Sequence, residues 1–306
     1  MIGGIFKLPK VKVSKPINSN IVGYSMLIPG SILILLVSIY PLLNGIYLSL
    51  FNYNILSDDI KYFVGFKNFF EIITTDKQFY SALLFSFIYS FLVVIVSYIC
   101  GLVCALLLDS EIRFRNIFRA LILLPWLIPG VVMANIFIWM LNDYGQINNF
   151  LINIHLIDEP ILFLAKPILA KFTVISVSIW KSIPFVFIVL LAGLQSIPPE
   201  LYEAASIDGA GFFRKLFSIQ LPLLRPVSFI STTLLFIWTF NNFEYIWLLT
   251  KGGPSYNTFV LPILSYYVAF FRGHLGYASA ISVILLILLL IFVLIYSKIQ
   301  RMKLFF

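Results

Sequence analysis

Apolar residues gather into six long runs, near residues 21–50, 79–108, 117–141, 168–194, 227–249 and 275–297. Each approaches or exceeds the roughly 20 residues that cross a bilayer as a helix, so the pattern predicts an all-α chain of six transmembrane helices. Proline and glycine interrupt several runs, at Pro29-Gly30, Pro41, Pro125, Pro129-Gly130 and Pro184. Lipid tolerates such breaks where neighbouring helices or water satisfy the freed backbone groups, which points to a packed bundle lining a path. Between the fourth and fifth runs lies a polar stretch, residues 200–222, with helical signals of its own. Pro198 and Pro199 suit a first turn, and Glu200 and Glu203 place negative charge at the positive end of the helix dipole. Gly209 and Gly211 are expected to end that helix by taking backbone angles closed to other residues. A second helix follows, with Phe212, Phe213, Leu216, Phe217 and Ile219 on one side and Arg214, Lys215 and Ser218 on the other. Pro222 and Pro226 are expected to interrupt it before the fifth span can run.

Composition confirms the solvent. The chain has 306 residues, 61% apolar and 11% charged, with a mean hydropathy of +1.01. No soluble domain of this size needs such a balance, whereas a polytopic membrane protein does. The only cysteines, Cys100 and Cys104, lie four apart on one helix face, a poor geometry for a disulfide and a good one for small apolar packing residues. The basic opening, with Lys7, Lys10, Lys12 and Lys15, has no small-residue cleavage site after a short apolar core. The first run is therefore expected to be a retained anchor.

The net charge of +8 reads as topology, not nucleic-acid binding, because of where it sits. Six spans put both termini on one side. That side holds thirteen Lys and Arg, in the opening segment, around Arg113–Arg119, around Arg214–Arg225 and in the tail, against seven on the other. Cytoplasmic loops collect the excess, so both termini and residues 200–222 are expected to be cytoplasmic. The outer loops, near 51–78, 142–167 and 251–274, are too short to house a separate folded domain, which leaves capture of a dilute substrate to another protein.

The string Glu203-Ala204-Ala205, then Gly209 after three residues, then Ile219 and Leu221-Pro222 after nine and one, resembles the EAA loop of binding-protein-dependent ABC importers. Leu249-Thr250-Lys251-Gly252-Gly253-Pro254 resembles the T-x-G-G-P string that follows the fifth span in the sugar-importer branch, although an ordinary exposed turn would read the same way. The stretches Leu194 to Pro198, Ile207 to Gly211 and Gly276 to Ala280 fit that branch too. The resemblance implies a type I ABC importer permease fold in a bacterial or archaeal cytoplasmic membrane. It divides the chain into a basic segment (1–20), a first span (21–50), a permease core (79–297) with its coupling loop at 197–222, and a tail (298–306). It further implies a second homologous permease subunit, two ATP-binding subunits, and an extracellular or periplasmic substrate-binding protein. Glu203, Ala204, Ala205, Asp208, Gly209, Ile219, Leu221 and Pro222 would couple the chain to the ATPase. The implied substrate is a sugar or oligosaccharide, with a glycerol phosphate ester as the alternative within the branch and a secondary transporter or channel as the alternative outside it.

Two charges fall inside predicted spans, Lys181 and Glu244. A charge at the bilayer centre costs about 2.5–3.5 kcal/mol on insertion scales, so each should face the bundle interior, water or a partner. Lys181 follows Trp180, and a Trp-Lys pair can also mark the interface, its ammonium snorkelling to headgroups. Glu244 sits with Asn241, Asn242 and Tyr245 among aromatic residues, a mixture that covers the apolar face of a pyranose and meets its hydroxyls. Hydrogen bonding between helices is the competing role for these polar groups. The substrate pathway is assigned to Lys181, Asn241, Asn242, Glu244 and Tyr245. No catalytic constellation, paired metal ligands or phosphate-binding G-x-x-x-x-G-K-[ST] loop occurs, so no cofactor is expected and ATP hydrolysis is assigned to a partner.

Overall fold

The computed structural model describes residues 19–57, 61–110 and 112–304. The basic opening, with Lys7, Lys10, Lys12 and Lys15, lies outside the described residues. The chain forms two units, Met1–Tyr47 and Leu48–Phe306. The described part of the first is helical: α1 (Ser19–Ile34), a π-turn at Leu35–Ile39, and the start of α2 (Tyr40–Ser49).

The second unit opens on a two-residue antiparallel ladder, β1 (Phe51–Asn52) with β2 (Tyr62–Phe63), a small exception to the all-helical expectation. The helices α3 (Lys67–Thr74), α4 (Lys77–Asp109), α5 (Arg115–Leu127), α6 (Gly130–Leu141), α7 (Gln146–Asn153) and α8 (Pro167–Gln195) follow. Next come α9 (Pro199–Ile207), α10 (Phe212–Lys215), a second π-turn at Leu216–Gln220, α11 (Leu221–Phe240), α12 (Glu244–Thr250), α13 (Leu261–Phe270) and α14 (Leu275–Leu304). Among the described residues five helices are long and apolar enough to cross a membrane, and six spans result if α5 and the helix after its break count as one.

The centre of the bundle is the α4–α8 pair. Between helices in lipid, close approach of small residues replaces the hydrophobic drive available in water. A Cβ on Gly101 of α4 would come within 2.8 Å of Val186 of α8, and one on Gly193 of α8 within 2.7 Å of Leu224 of α11. Short polar side chains add cross-links in the dry interior: Tyr89 donates to Ser178 Oγ at 2.8 Å, and Ser86 Oγ accepts from the N–H of Leu261 at 2.9 Å, at the start of α13. The outer loops are structured as well. Asn148, fully buried, donates to the carbonyls of Asn142 and Ile161 and accepts from the N–H of Ile161. Cys100 and Cys104 are free, half-buried thiols in α4.

The third run breaks at the expected Pro129-Gly130, and two other expectations about the spans are corrected. The third run is two helices bent by 94° at Ile128-Pro129, because a proline that cannot donate follows a helix whose end is capped from elsewhere. The fifth run, expected over residues 227–249, ends as a helix at Phe240; Asn242 Oδ1 then accepts the N–H of Tyr245 at 3.2 Å and starts α12 as a separate element. A hydrophobicity window cannot see this break, because aromatic residues continue on both sides of the asparagines. Pro222 and Pro226, finally, do not interrupt. The helix runs from Phe212 to Phe240 with a π-turn ending two residues before Pro222, just as the π-turn at Leu35–Ile39 ends two residues before Pro41. A proline ring clashes with the carbonyl four residues back; a turn closed by i→i−5 bonds, here Leu221 N–H to Leu216 O, widens the helix where that carbonyl sits.

Candidate functional site

Two regions carry the residues singled out from the sequence. The first is the elbow after α8. Helix α9 starts at Pro199 with Glu200 in its first turn and ends in a Schellman arrangement. Gly209, at φ +73°, donates to Ser206 O at 3.0 Å, and Ala210 donates to Ala205 O at 2.8 Å. Gly209 thus takes the left-handed turn, whereas Gly211 has φ −72° and ψ 176°, extended backbone open to any residue; the expectation that both glycines need special angles is corrected at Gly211. Lys215 of α10 donates to Ser206 Oγ at 2.6 Å and ties the second arm of the elbow to the first.

The elbow presents one face and anchors the other. Glu203, Ala204, Asp208 and Gly209 are exposed, Ala205 is half-buried, and Ile219, Leu221 and Pro222 are half-buried at its base. The amphipathic reading of the second arm holds only for Leu216 and Ile219, since Phe212, Phe213 and Phe217 are exposed. Ile207, at 87% exposure, stands at the tip. The sequence placed it in a family-like stretch but not among the coupling residues, although an isoleucine beside Asp208-Gly209 in a polar stretch was the available signal.

The second region is an open cleft of about 400 Å³ lined by α5, α8, α11 and α12. Its lining includes all five pathway residues, Lys181, Asn241, Asn242, Glu244 and Tyr245, together with Trp126, Phe185 and Trp238. The rings form a continuous wall: Phe185 lies 6.3 Å from Trp126 and 4.8 Å from Trp238, centroid to centroid. The wall was not foreseen, because its members come from α5, α8 and α11. Asn241 and Glu244 are exposed to this space and their side chains make no hydrogen bond among the described residues, which leaves an amide and a carboxylate for a ligand's hydroxyls.

Lys181 faces the bundle interior, one of the two places expected for it, and is engaged there by main-chain carbonyls. It is buried, 6% exposed, so it does not snorkel to headgroups. Its ammonium donates to the carbonyls of Pro125 at 2.8 Å, Trp126 at 3.2 Å and Ile128, the orphan acceptors at the C-terminal end of α5. On the other side of the break, the Glu244 carboxylate rests against Gly130, the first residue of α6, so closely that any Cβ there would overlap it. A cation thus sits on the negative end of one half-helix and an anion beside the positive end of the next, the arrangement that helix dipoles favour.

The comparisons with known proteins agree with this architecture. Residues 97–303 match the family model described as binding-protein-dependent transport system inner membrane component. The trehalose/maltose transport system permease protein MalF of Thermococcus litoralis is 34% identical over 281 residues, covering 92% of this chain and 94% of that one. The sulfoquinovosyl glycerol transport system permease protein SmoG of Agrobacterium fabrum is 30% identical, covering 97% and 96%. Among solved structures, a bacterial ABC transporter involved in import of the acidic polysaccharide alginate superposes with a TM-score of 0.80 at 26% identity, over 92% of this chain and 96% of that one. A bacterial alginate ABC transporter in complex with an alginate pentasaccharide-bound periplasmic protein superposes equally well, with a TM-score of 0.80 at 26% identity over 93% of this chain and 96% of that one.

Proposed function

The chain belongs to the binding-protein-dependent transport system inner membrane component family, a permease of the cytoplasmic membrane with the type I importer fold, and from that premise we propose that it is one half of the translocation path of an ATP-driven sugar importer. A second, homologous permease subunit completes the path. A substrate-binding protein delivers the sugar from outside, and two ATP-binding subunits work from the cytoplasm. The supporting relatives are carbohydrate permeases by name, and the cleft offers the matching chemistry of flat rings with unengaged amide and carboxylate groups. Lys181, the cation of this half-cavity among its described lining residues, has its ammonium engaged by three carbonyls, which favours a sugar over a phosphate ester here.

The observation that carries the coupling is the elbow at residues 203–209, exposed along Glu203, Ala204 and Asp208 while its base is held in the bundle. Ala204 and Ala205 allow close approach of a partner surface, Glu203 supplies a charged contact, and Gly209 gives the turn that aims both arms. Closure of the ATPase pair would push this elbow, and the helix continuing from Phe212 to Phe240 would carry the displacement to Asn241 and Asn242, since a packed helix moves as a rigid body. The test is co-purification with the ATP-binding subunits and uptake of labelled disaccharides in proteoliposomes. A Glu203→Lys variant should remain in the membrane, lose the ATPase and lose uptake; retention of both would remove the elbow from the mechanism.

A further inference from the structure

The seven-residue helix α12 has a cleft at each end. Its first turn, with Glu244 and Tyr245, lines the inner cleft already described. Its last turn, with Trp247 and Thr250, opens onto a second cleft of about 750 Å³ that the proposed pathway does not yet use. This outer space is walled by Trp247, Tyr256, Tyr267 and Phe271, with Lys251 and Ser255 at its rim. Tyr267 and Phe271 stack at 5.3 Å, Tyr256 meets Tyr267 edge-on at 5.6 Å, and the two tyrosine hydroxyls lie 3.2 Å apart. Tyr256 and Phe271 are about half exposed, at 48% and 56%.

The loop that shapes this wall is held against its own preferences. Lys251, Ser255 and Tyr256 all have positive φ, a region that side chains other than glycine's rarely occupy. Such backbone persists only where the surroundings over-determine it, and strained positions gather where a site needs a side chain aimed. Here the buried Thr258 does the holding: its hydroxyl pairs with that of Thr250 at 2.7 Å and donates to Gly253 O at 2.8 Å. Gly252, at φ +83°, lies under the Phe259 ring where a Cβ would overlap it, so the Gly-Gly-Pro string is a packed device, not an ordinary exposed turn. The two clefts are joined by rings as well as by backbone. Trp247 stacks on Phe243, at 5.4 Å and 19°, and Phe243 lines the inner cleft. At 1.5 Å per residue, α12 separates the two by about 10 Å.

We propose that the outer cleft is a second carbohydrate subsite, where Tyr256 and Phe271 stack on a sugar unit arriving from outside before it moves along α12 to Asn241 and Glu244. The inference rests on the sugar reading above and adds an entry step to it. The complete complex, with its partner permease, ATP-binding subunits and binding protein, is placed in proteoliposomes and offered labelled maltose, trehalose and maltotetraose. Replacing both rings by aliphatic side chains, Tyr256→Leu with Phe271→Leu, should cut sugar delivered per ATP hydrolysed about tenfold, as the loss of two stacking faces predicts. Tyr256→Phe with Phe271→Tyr keeps flat faces and should stay within about twofold of wild type, and binding-protein-stimulated ATP hydrolysis should be unchanged in both pairs. Normal delivery by the leucine pair overturns the subsite. So does a fall in stimulated ATP hydrolysis matching the fall in uptake, which would make the cleft a docking face for the binding protein. A wild-type complex that carries none of the three sugars defeats the sugar reading itself.

Discussion

The ammonium of Lys181, in α8, lies 2.8 Å from the main-chain carbonyl of Pro125, 56 residues earlier, and also engages Trp126 and Ile128. A side chain in one span therefore caps the broken end of another. Replacing it by methionine preserves length and apolar packing but leaves several carbonyls without a donor in a dry interior. The loss should be about 3 kcal/mol, since each buried unsatisfied group costs roughly 1–3 kcal/mol and some will find water. Thermal unfolding of the detergent-extracted Lys181→Met protein measures it, and an unshifted transition would show that the cap contributes nothing.

Gly130 and Glu244 test the same break from its other half. Gly130→Ala places a methyl group where the Glu244 carboxylate now rests, so uptake should fall by up to about a hundredfold, the loss an ångström-scale misplacement of a working group can cause. Combining it with Glu244→Ala should add little further loss, because the two changes act on one contact. Additive losses in that double-mutant cycle would place the two residues in separate roles.

Gly209 is constrained by its angle and not by its space, since an added Cβ would meet nothing within 4 Å. Asparagine, which tolerates the left-handed region, should preserve coupling, whereas valine should strain the turn by about 1–2 kcal/mol and uncouple ATP hydrolysis from uptake. The ratio of sugar carried to ATP hydrolysed discriminates the two substitutions. Equal ratios would mean that the elbow's geometry is not used.

Asn241 offers an amide to the inner cleft with no partner of its own among the described residues. Asn241→Ala should reduce uptake about fivefold, the loss of one hydrogen bond worth about 1 kcal/mol, with no change in thermal stability. Asn242 behaves differently, because its Oδ1 caps the start of α12; Asn242→Ala should lower both uptake and stability. Swapped phenotypes would reverse these assignments.

Much of this molecule was legible in the chain by itself. Six apolar runs, the asymmetry of Lys and Arg, and the spacing of Glu203, Gly209 and Pro222 are local properties, and each follows from lipid or helix-end chemistry acting within a few residues of sequence. Even the residues proposed for the pathway, Asn241, Asn242, Glu244 and Tyr245, stood out, because a polar cluster in an apolar run is costly wherever it folds. Their meeting with Lys181 in one cleft, and the aromatic wall from Trp126, Phe185 and Trp238, depended on helices brought together from distant parts of the chain. The same holds for the two charges expected inside spans. In the sequence Lys181 and Glu244 are isolated costs, and only tertiary packing decides that one caps the broken end of α5 while the other abuts the start of α6. Burial of a charge is paired or capped by groups that fold against it, and that partner is a property of three-dimensional contact, not of neighbours along the chain.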